Sequence, residues 1–179
     1  GATVDDCIVA AKVFAAEHGS VFVPPFDHPD ILAGQGTIGL ELLEEVPGLA
    51  TVVVAIGGGG LCGGIAAAVK LSRPDVHVVG VAAAGAGSMI ESLAAGAPRS
   101  VVPTTIADGI ALKSPTELTL EHVAAFVDDV VTVSDDEITT SMLLLLERSK
   151  AVVEPAGAAS LAAAMTGRIG PDLGPTALV

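Results

Sequence analysis

The amino-acid sequence predicts an α/β fold with a mainly parallel sheet and helices on both faces of that sheet. Strand patterns alternate with helix patterns along all 179 residues, and the connections between them are short. The run 52–56 is apolar on both faces of a strand and rich in β-branched residues, as buried strands of parallel sheets are. The chain has no Trp or Tyr and only four Phe, so its core must consist of small aliphatic side chains, which suits helices packed closely on a sheet.

The N-terminal part of the sequence predicts a helix, a short strand and a second helix. The first helix takes Thr3 as its N-cap and Gly19 as its C-cap. A strand at 21–26 follows and is stopped by two prolines. The second helix begins between Pro29 and Gln35, and the Pro47–Gly48 pair closes it.

The central part predicts two further strand–helix pairs. A buried strand at 50–56 is followed by a helix at 61–72. The next strand runs over 76–84 and leads into a short helix at 88–96, for which we expect Ser88 to be the N-cap.

The C-terminal part predicts two strands and two helices after a long irregular segment. These elements are the irregular segment at 100–123 with one helical piece, a strand at 126–134, helices at 134–150 and 152–167, and a strand at 175–179. Ser134 and Glu137 have the spacing of a capping box, so we expect Ser134 to be the N-cap of its helix. Pro155 starts the last helix near its first turn, and Gly167 closes it.

Composition and charge exclude several classes of function. The formal net charge is −13 and the isoelectric point is near 4.4, so no basic stripe exists to bind nucleic acid or an anionic membrane. No apolar stretch reaches the length of a membrane-spanning helix without a Gly, Pro or charged residue. Two cysteines, Cys7 and Cys62, form neither a disulfide framework nor a zinc motif, which favours a reducing, cytoplasmic location.

Four consecutive glycines, Gly57–Gly60, stand between the buried strand and the helix that begins at about Leu61. Glycines allow close approach of the backbone to a ligand, and a helix N-terminus there favours an anion, for which phosphate is the natural example. The alternative interpretation is a tight strand-to-helix turn whose glycines serve close packing. We favour the anion site because the glycines form an unbroken run of four.

The surrounding residues favour a monophosphate over a nucleotide. Ile65 and Ala66 follow the glycines where a Walker A loop has Lys and Ser or Thr. The spacing of Gly58, Gly60 and Gly63 matches a dinucleotide fingerprint, but Ala82–Ala84 occupy the tip of the next strand, where that fingerprint needs an acid.

Three other residues each admit two interpretations. Asp108 is either part of a simple Asp–Gly turn or part of a cofactor-binding wall. Glu154 either interacts favourably with a helix N-terminus or lies in the site. Cys62 is either a small core residue or a thiol whose pKa a helix N-terminus lowers.

Five segments in the same order resemble the large-domain segments of the threonine dehydratases, which are pyridoxal-phosphate enzymes of fold type II. They are PPFDHPDILAGQGTIGLELLEE, VVVAIGGGGLCGGIA, IADGIALKSP, VDDVVTVSDDEI and ERSKAVVEPAGAASLAA. The resemblance implies β-elimination and deamination of threonine, with serine as a second amino-acid substrate, in a dimer or tetramer of identical chains. It also implies pyridoxal 5′-phosphate as the cofactor, with Glu154 near its ring and away from the solvated surface. Its phosphate cradle would be Gly57, Gly58, Gly59, Gly60 and Leu61.

The sequence departs from the family pattern in two informative places. None of the lysines (Lys12, Lys70, Lys113 and Lys150) stands in the Ser-x-Lys-x-Arg-Gly motif that carries the family's cofactor-binding lysine. We therefore expect residues 1–179 to be a large domain that is incomplete at both ends, without a catalytic residue of its own. Ala83 stands where relatives with a structural metal have an acid, so we expect no such metal.

Two alternatives stay open. One is a serine racemase or another β-eliminating enzyme of the same fold. The other belongs to a different class, a non-catalytic phosphate-binding or interaction module that is complete as it stands.

Overall fold

A computed structural model describes residues 4–170 and 174–179. The helices are α1 (Val4–His18), α2 (Pro29–Glu45), α3 (Gly60–Ser72), α4 (Ser88–Ala95), α5 (Glu117–Phe126), α6 (Asp135–Leu144) and α7 (Pro155–Met165). The strands are β1 (Thr51–Ala55), β2 (His77–Ala83), β3 (Asp129–Val133) and β4 (Thr176–Leu178). Short 3-10 turns cover Ala84–Ala86 and Asp108–Ile110, and a π-helical turn at Leu145–Ser149 continues α6. The predicted Thr3 N-cap lies outside the described residues.

The strands form one parallel sheet in the order β3-β2-β1-β4. Val53 of β1 pairs with Val79 of β2 on one side and with Leu178 of β4 on the other. Val81 of β2 pairs with Val131 of β3. The prediction of an α/β fold with a parallel sheet is therefore confirmed.

Each face of the sheet is covered by helices because successive strand residues point to opposite faces. Val53 and Val81 are fully buried in one cluster, with side chains from α6 and α7. Val52 and Val78 are fully buried in the other, with side chains from α3, α4 and α5. The predicted helices on both faces are therefore present.

Helices α2 and α3 approach each other backbone to backbone through glycines. A Cβ atom on Gly36 would lie 3.2 Å from the carbonyl oxygen of Gly64, and one on Gly39 would lie 3.0 Å from that of Ile65. A Cβ atom on Gly64 would collide with the carbonyl oxygen of Leu32. The close approach fixes α2 against the helix that follows the glycine loop.

Two local predictions are wrong. Residues 21–26 form no strand, because Pro24 and Pro25 lack backbone donors and Val21 and Val23 stay exposed. Ser88 is the first residue of α4 and not its N-cap, which is Gly87. The buried hydroxyl of Ser88 instead donates to the carbonyl oxygen of Leu112 at 3.2 Å, which ties the irregular segment to α4.

The other helix starts agree with the sequence. Ser134 accepts a hydrogen bond from the Glu137 amide at 3.3 Å, and the Glu137 carboxylate accepts one from the Ser134 amide at 2.7 Å, so the capping box is confirmed. Pro155 is the first residue of α7. The second helix begins at Pro29, and its N-cap is His28, whose Nδ1 accepts from the Asp30 amide at 3.2 Å.

The two longest described helices, α1 and α2, have 15 and 17 residues. Among residues 4–170 and 174–179, no helix combines the length and the apolar composition needed to cross a membrane.

Candidate active site

A cleft of about 360 Å³ opens at the carboxyl end of β1. It is bounded by the glycine loop, the 108–112 segment, Pro25 and Phe26, and the start of α7. All the site residues that the sequence predicts line it, namely Gly57, Gly58, Gly59, Gly60, Leu61 and Glu154. Ligands of open α/β sheets bind in this position, outside the carboxyl ends of the strands.

The glycine loop lines the cleft and contains a row of backbone amides without partners. The amides of residues 57–62 form no hydrogen bond within the described residues, and the first amide bonded inside the helix is that of Gly63, to the Gly59 carbonyl oxygen at 2.8 Å. Gly59 is the N-cap of α3 with φ +94°, a left-handed conformation that favours glycine. Unpaired amides and the positive end of the helix dipole together favour an anion here.

Close packing also requires these glycines. A Cβ atom on Gly57 would lie 2.7 Å from the Cα atom of Ile110. A Cβ atom on Gly58 or Gly60 would lie 2.9 Å or less from atoms of Phe26. The tight-turn interpretation therefore holds for this loop. An anion site is compatible with it, because the glycines that pack against the protein also line the cleft.

Sequence reasoning missed Phe26 as a site residue. Its segment is tied to α5 because the Thr116 hydroxyl donates to the carboxylate of the neighbouring Asp27 at 2.8 Å. Pro25 and Phe26 are the last two residues of the predicted 21–26 strand, so the signal available was an aromatic residue after two prolines, which is too general to indicate a site.

Two carboxylates stand on the walls of the cleft. Asp108 begins a 3-10 turn, as the turn interpretation predicts, and it also lines the cleft, so its part in binding a cofactor stays a prediction. Glu154 is the N-cap of α7, but its side chain makes no capping hydrogen bond. Glu154 is exposed, which contradicts the expectation that it lies away from the solvated surface, and its Oε1 lies 3.2 Å from where a Cβ atom on Gly109 would stand.

Cys62 is a buried core residue at the base of the loop. Its side chain is 0% exposed, and this burial raises the pKa of the thiol from 9.0 to about 12. The interpretation that the helix N-terminus lowers this pKa is therefore wrong, because desolvation of the thiolate outweighs the helix dipole.

We expect iodoacetamide to modify the exposed Cys7 in the native protein at pH 8 and to leave Cys62 intact until the protein unfolds. The unfolded chain loses the Cys62 proton first, so this group lowers the free energy of unfolding as pH rises from 9.0 to about 12. Peptide mass mapping of the alkylated protein measures both sites. Equal labelling of the two cysteines in the folded state would contradict the assignment.

None of the lysines lines the cleft within the described residues. The Lys70 ammonium lies 2.6 Å from the Asp128 carboxylate, at the amino end of the sheet. Lys12 stands over the Phe22 ring, and Lys150 donates to the Glu147 carbonyl oxygen at 2.8 Å. These interactions place them on helices and turns away from the glycine loop.

Ala83 ends β2 and is fully buried in the core. Across residues 4–170 and 174–179, no cluster of three or more His, Cys, Asp or Glu side chains is arranged to hold a metal ion.

Comparison with known proteins finds threonine ammonia-lyases and threonine dehydratases among the curated relatives. The chain is 46% identical over 166 residues to the L-threonine ammonia-lyase of Thermotoga maritima. This match covers 92% of the chain and 41% of that protein. It is 42% identical over 170 residues to the catabolic L-threonine dehydratase of Escherichia coli K12. This match covers 94% of the chain and 52% of that protein. The chain thus spans about half the length of these curated relatives, or less.

Solved structures agree with the sequence matches. The T.th. threonine deaminase superposes with a TM-score of 0.88 at 38% identity, covering 94% of this chain and 62% of that one. Maize serine racemase superposes with a TM-score of 0.87 at 35% identity, and the match covers 95% of this chain and 53% of that one. The sequence model of the protein family described as pyridoxal-phosphate dependent enzyme matches residues 1–179. The chain therefore belongs to the family of pyridoxal-phosphate-dependent enzymes.

Proposed function

We propose that the full-length protein converts L-threonine to 2-oxobutanoate and ammonia with pyridoxal phosphate, and that residues 1–179 are its large domain, which supplies the cofactor's phosphate cradle. The observation that carries the proposal is the row of unpaired amides at 57–62, in a loop that lines a cleft at the carboxyl end of the sheet. The relatives named as threonine ammonia-lyase and threonine dehydratase support the choice of threonine.

The residues present fit the cofactor. A volume of about 360 Å³ lies within the range of small-molecule sites. Amide donors at a helix N-terminus are the groups that bind a phosphate without a cationic side chain. The left-handed Gly59 and the close contacts of Gly57 keep side chains out of the cradle.

The chain's own residues have separate tasks in this proposal. Amides of residues 57–61 bind the phosphate, and Phe26, which also lines the cleft, packs against Gly58 and Gly60. Glu154 and Asp108 repel an anion from their walls, which leaves the glycine loop as the anion end of the cleft. Bound pyridoxal phosphate supplies an electron sink for the carbanion that forms at the α-carbon of an amino acid.

The test is an assay of the purified full-length protein with L-threonine, with and without added pyridoxal phosphate. We expect cofactor-dependent release of 2-oxobutanoate and ammonia in equal amounts, and slower release of pyruvate from L-serine. Formation of D-serine without keto acid would instead support a racemase, which the likeness to maize serine racemase makes the second candidate. Tight binding of pyridoxal phosphate without turnover of either amino acid would support a non-catalytic module.

We expect Glu154→Gln to change kcat or the absorbance spectrum of the bound cofactor more than it changes the melting temperature. The physical reason is that Glu154 lines the cleft and makes no capping hydrogen bond, so loss of its charge alters the field in the cleft and little else. Glu117→Gln is the matched control, because Glu117 is an exposed acid in the first turn of α5. Wild-type kinetics and spectrum in Glu154→Gln would leave that residue only a role at the helix terminus.

The assembly of identical chains and the cytoplasmic location stay predictions. Light scattering of the full-length protein measures its mass in solution, and we expect a dimer or a tetramer.

A further inference from the structure

The carboxylate of Asp135 accepts hydrogen bonds from residues 105 and 106, in a segment that leads to the cleft. One oxygen accepts the hydroxyl hydrogen of Thr105, and the other accepts the amide of Ile106 at 3.1 Å. The Thr105 hydroxyl oxygen in turn accepts the amide of Ala107 at 3.1 Å. Both oxygens of one side chain therefore fix three consecutive residues, and hydrogen bonds to a carboxylate are stronger than neutral ones.

We name residues 105–110 the wall segment. This segment connects the residues bound by Asp135 to the residue that packs against the glycine loop. Ala107 and Ile110 are buried in the core cluster on the α6 and α7 face of the sheet. The backbone of Ile110 packs closely against Gly57, because a Cβ atom on Gly57 would lie 2.7 Å from the Cα atom of Ile110. On the other side, a Cβ atom on Gly109 would lie 3.0 Å from that of Ala156 at the start of α7. A shift of the wall segment would therefore move the cleft boundary beside the amide cradle.

The role of Asp135 differs from that of its neighbour. Asp135 and Asp136 are both acids in the first turn of α6, so both interact favourably with the helix dipole. Asp136 is exposed, and its backbone oxygen accepts a hydrogen bond from the Thr140 hydroxyl. Substitution of Asp136 therefore changes only the interaction with the helix dipole, whereas substitution of Asp135 also removes the hydrogen bonds to the wall segment.

We propose that Asp135 is a positioning residue for the cofactor cleft: through Thr105 and Ile106 it holds the wall segment against the glycine loop and so sets how tightly pyridoxal phosphate is retained. The inference rests on the proposed function of the cleft. Asp135 itself does not line the cleft and acts through Ile110 and Gly109.

The experiment compares four variants of the full-length protein with the wild type: Asp135→Ala, Thr105→Val, Thr105→Ser and Asp136→Ala. Titration of each apoprotein with pyridoxal phosphate gives its Kd, and hydrogen exchange gives the opening of the Ile106 and Ala107 amides. We expect a Kd about tenfold higher and exchange about tenfold faster for Asp135→Ala and Thr105→Val, because each removes a hydrogen bond to a charged group. At saturating cofactor their kcat should return to within about twofold of the wild type, as a positioning role predicts.

Thr105→Ser keeps the hydroxyl and should restore the wild-type Kd, and Asp136→Ala should leave it unchanged. If Asp135→Ala does not fold, Thr105→Val carries the test, because it retains both acids of α6. Equal Kd values for Asp135→Ala and Asp136→Ala, or for Thr105→Val and the wild type, would overturn the inference alone. A wild-type protein that takes up no pyridoxal phosphate would overturn the proposed function and this inference with it.

Discussion

The substitution Gly59→Val should abolish retention of pyridoxal phosphate while the sheet still forms. Gly59 has φ +94°, a conformation that β-branched residues avoid at a cost of about 1–3 kcal/mol. The new Cβ atom would also lie 2.7 Å from the Met89 methyl carbon and 3.1 Å from the Thr119 Cβ. The loop would have to shift, and its amides would no longer converge on one phosphate.

The change is measured by titrating the full-length apoprotein with pyridoxal phosphate and, separately, with pyridoxal, which lacks the phosphate. We expect the wild type to bind the phosphorylated form at least about 100-fold more tightly, and Gly59→Val to lose most of that difference. Gly48→Val is the control, since a Cβ atom at the exposed Gly48 meets nothing within 4 Å. Unchanged cofactor absorbance in purified Gly59→Val would remove Gly59 from the cradle.

The substitution Gly64→Ala should lower the free energy of unfolding by up to about 2 kcal/mol, because overpacking costs about 1–3 kcal/mol. Its Cβ atom would collide with the Leu32 carbonyl oxygen and lie 2.9 Å from the Cβ of Gln35, so α2 would have to move away from α3. The gain in helix propensity from Gly to Ala, about 1 kcal/mol, offsets only part of this loss.

The same substitution in the partner helix, Gly34→Ala, should have the opposite sign. Gly34 lies exposed in α2, a Cβ atom there meets nothing within 4 Å, and the change should stabilise by about 0.4–1 kcal/mol. Urea denaturation of the two full-length variants, compared with the wild type, measures both effects. Stabilisation by Gly64→Ala would show that the helices do not pack through this glycine.

The features that the sequence predicted correctly depend on neighbours in the chain. The Ser134–Glu137 capping box and the Pro155 helix start are local patterns, and the structure contains both. The glycine run that follows a buried strand is also a local pattern, and it lines the cleft, while phosphate binding there stays a prediction. The sequence pattern left two interpretations open for Glu154, and the resemblance implied a place near the cofactor ring. Glu154 lines the cleft, but it is exposed.

The features that the sequence could not predict depend on residues far apart in the chain. The contact of Phe26 with Gly58 and Gly60, and that of Ile110 with Gly57, join segments that only the fold brings together. The bonds of Asp135 to Thr105 and Ile106 span about thirty residues and follow no local motif. The 21–26 segment has strand-forming residues, but a strand needs a partner with free backbone groups, and two prolines remove its donors.

A crystal structure of the full-length protein with pyridoxal phosphate tests the central claim most directly. The account predicts phosphate oxygens about 3 Å from amide nitrogens of residues 57–61, with Phe26 and Glu154 on the walls of the same cleft. A cofactor whose phosphate lies elsewhere, with the glycine amides facing water, would contradict it.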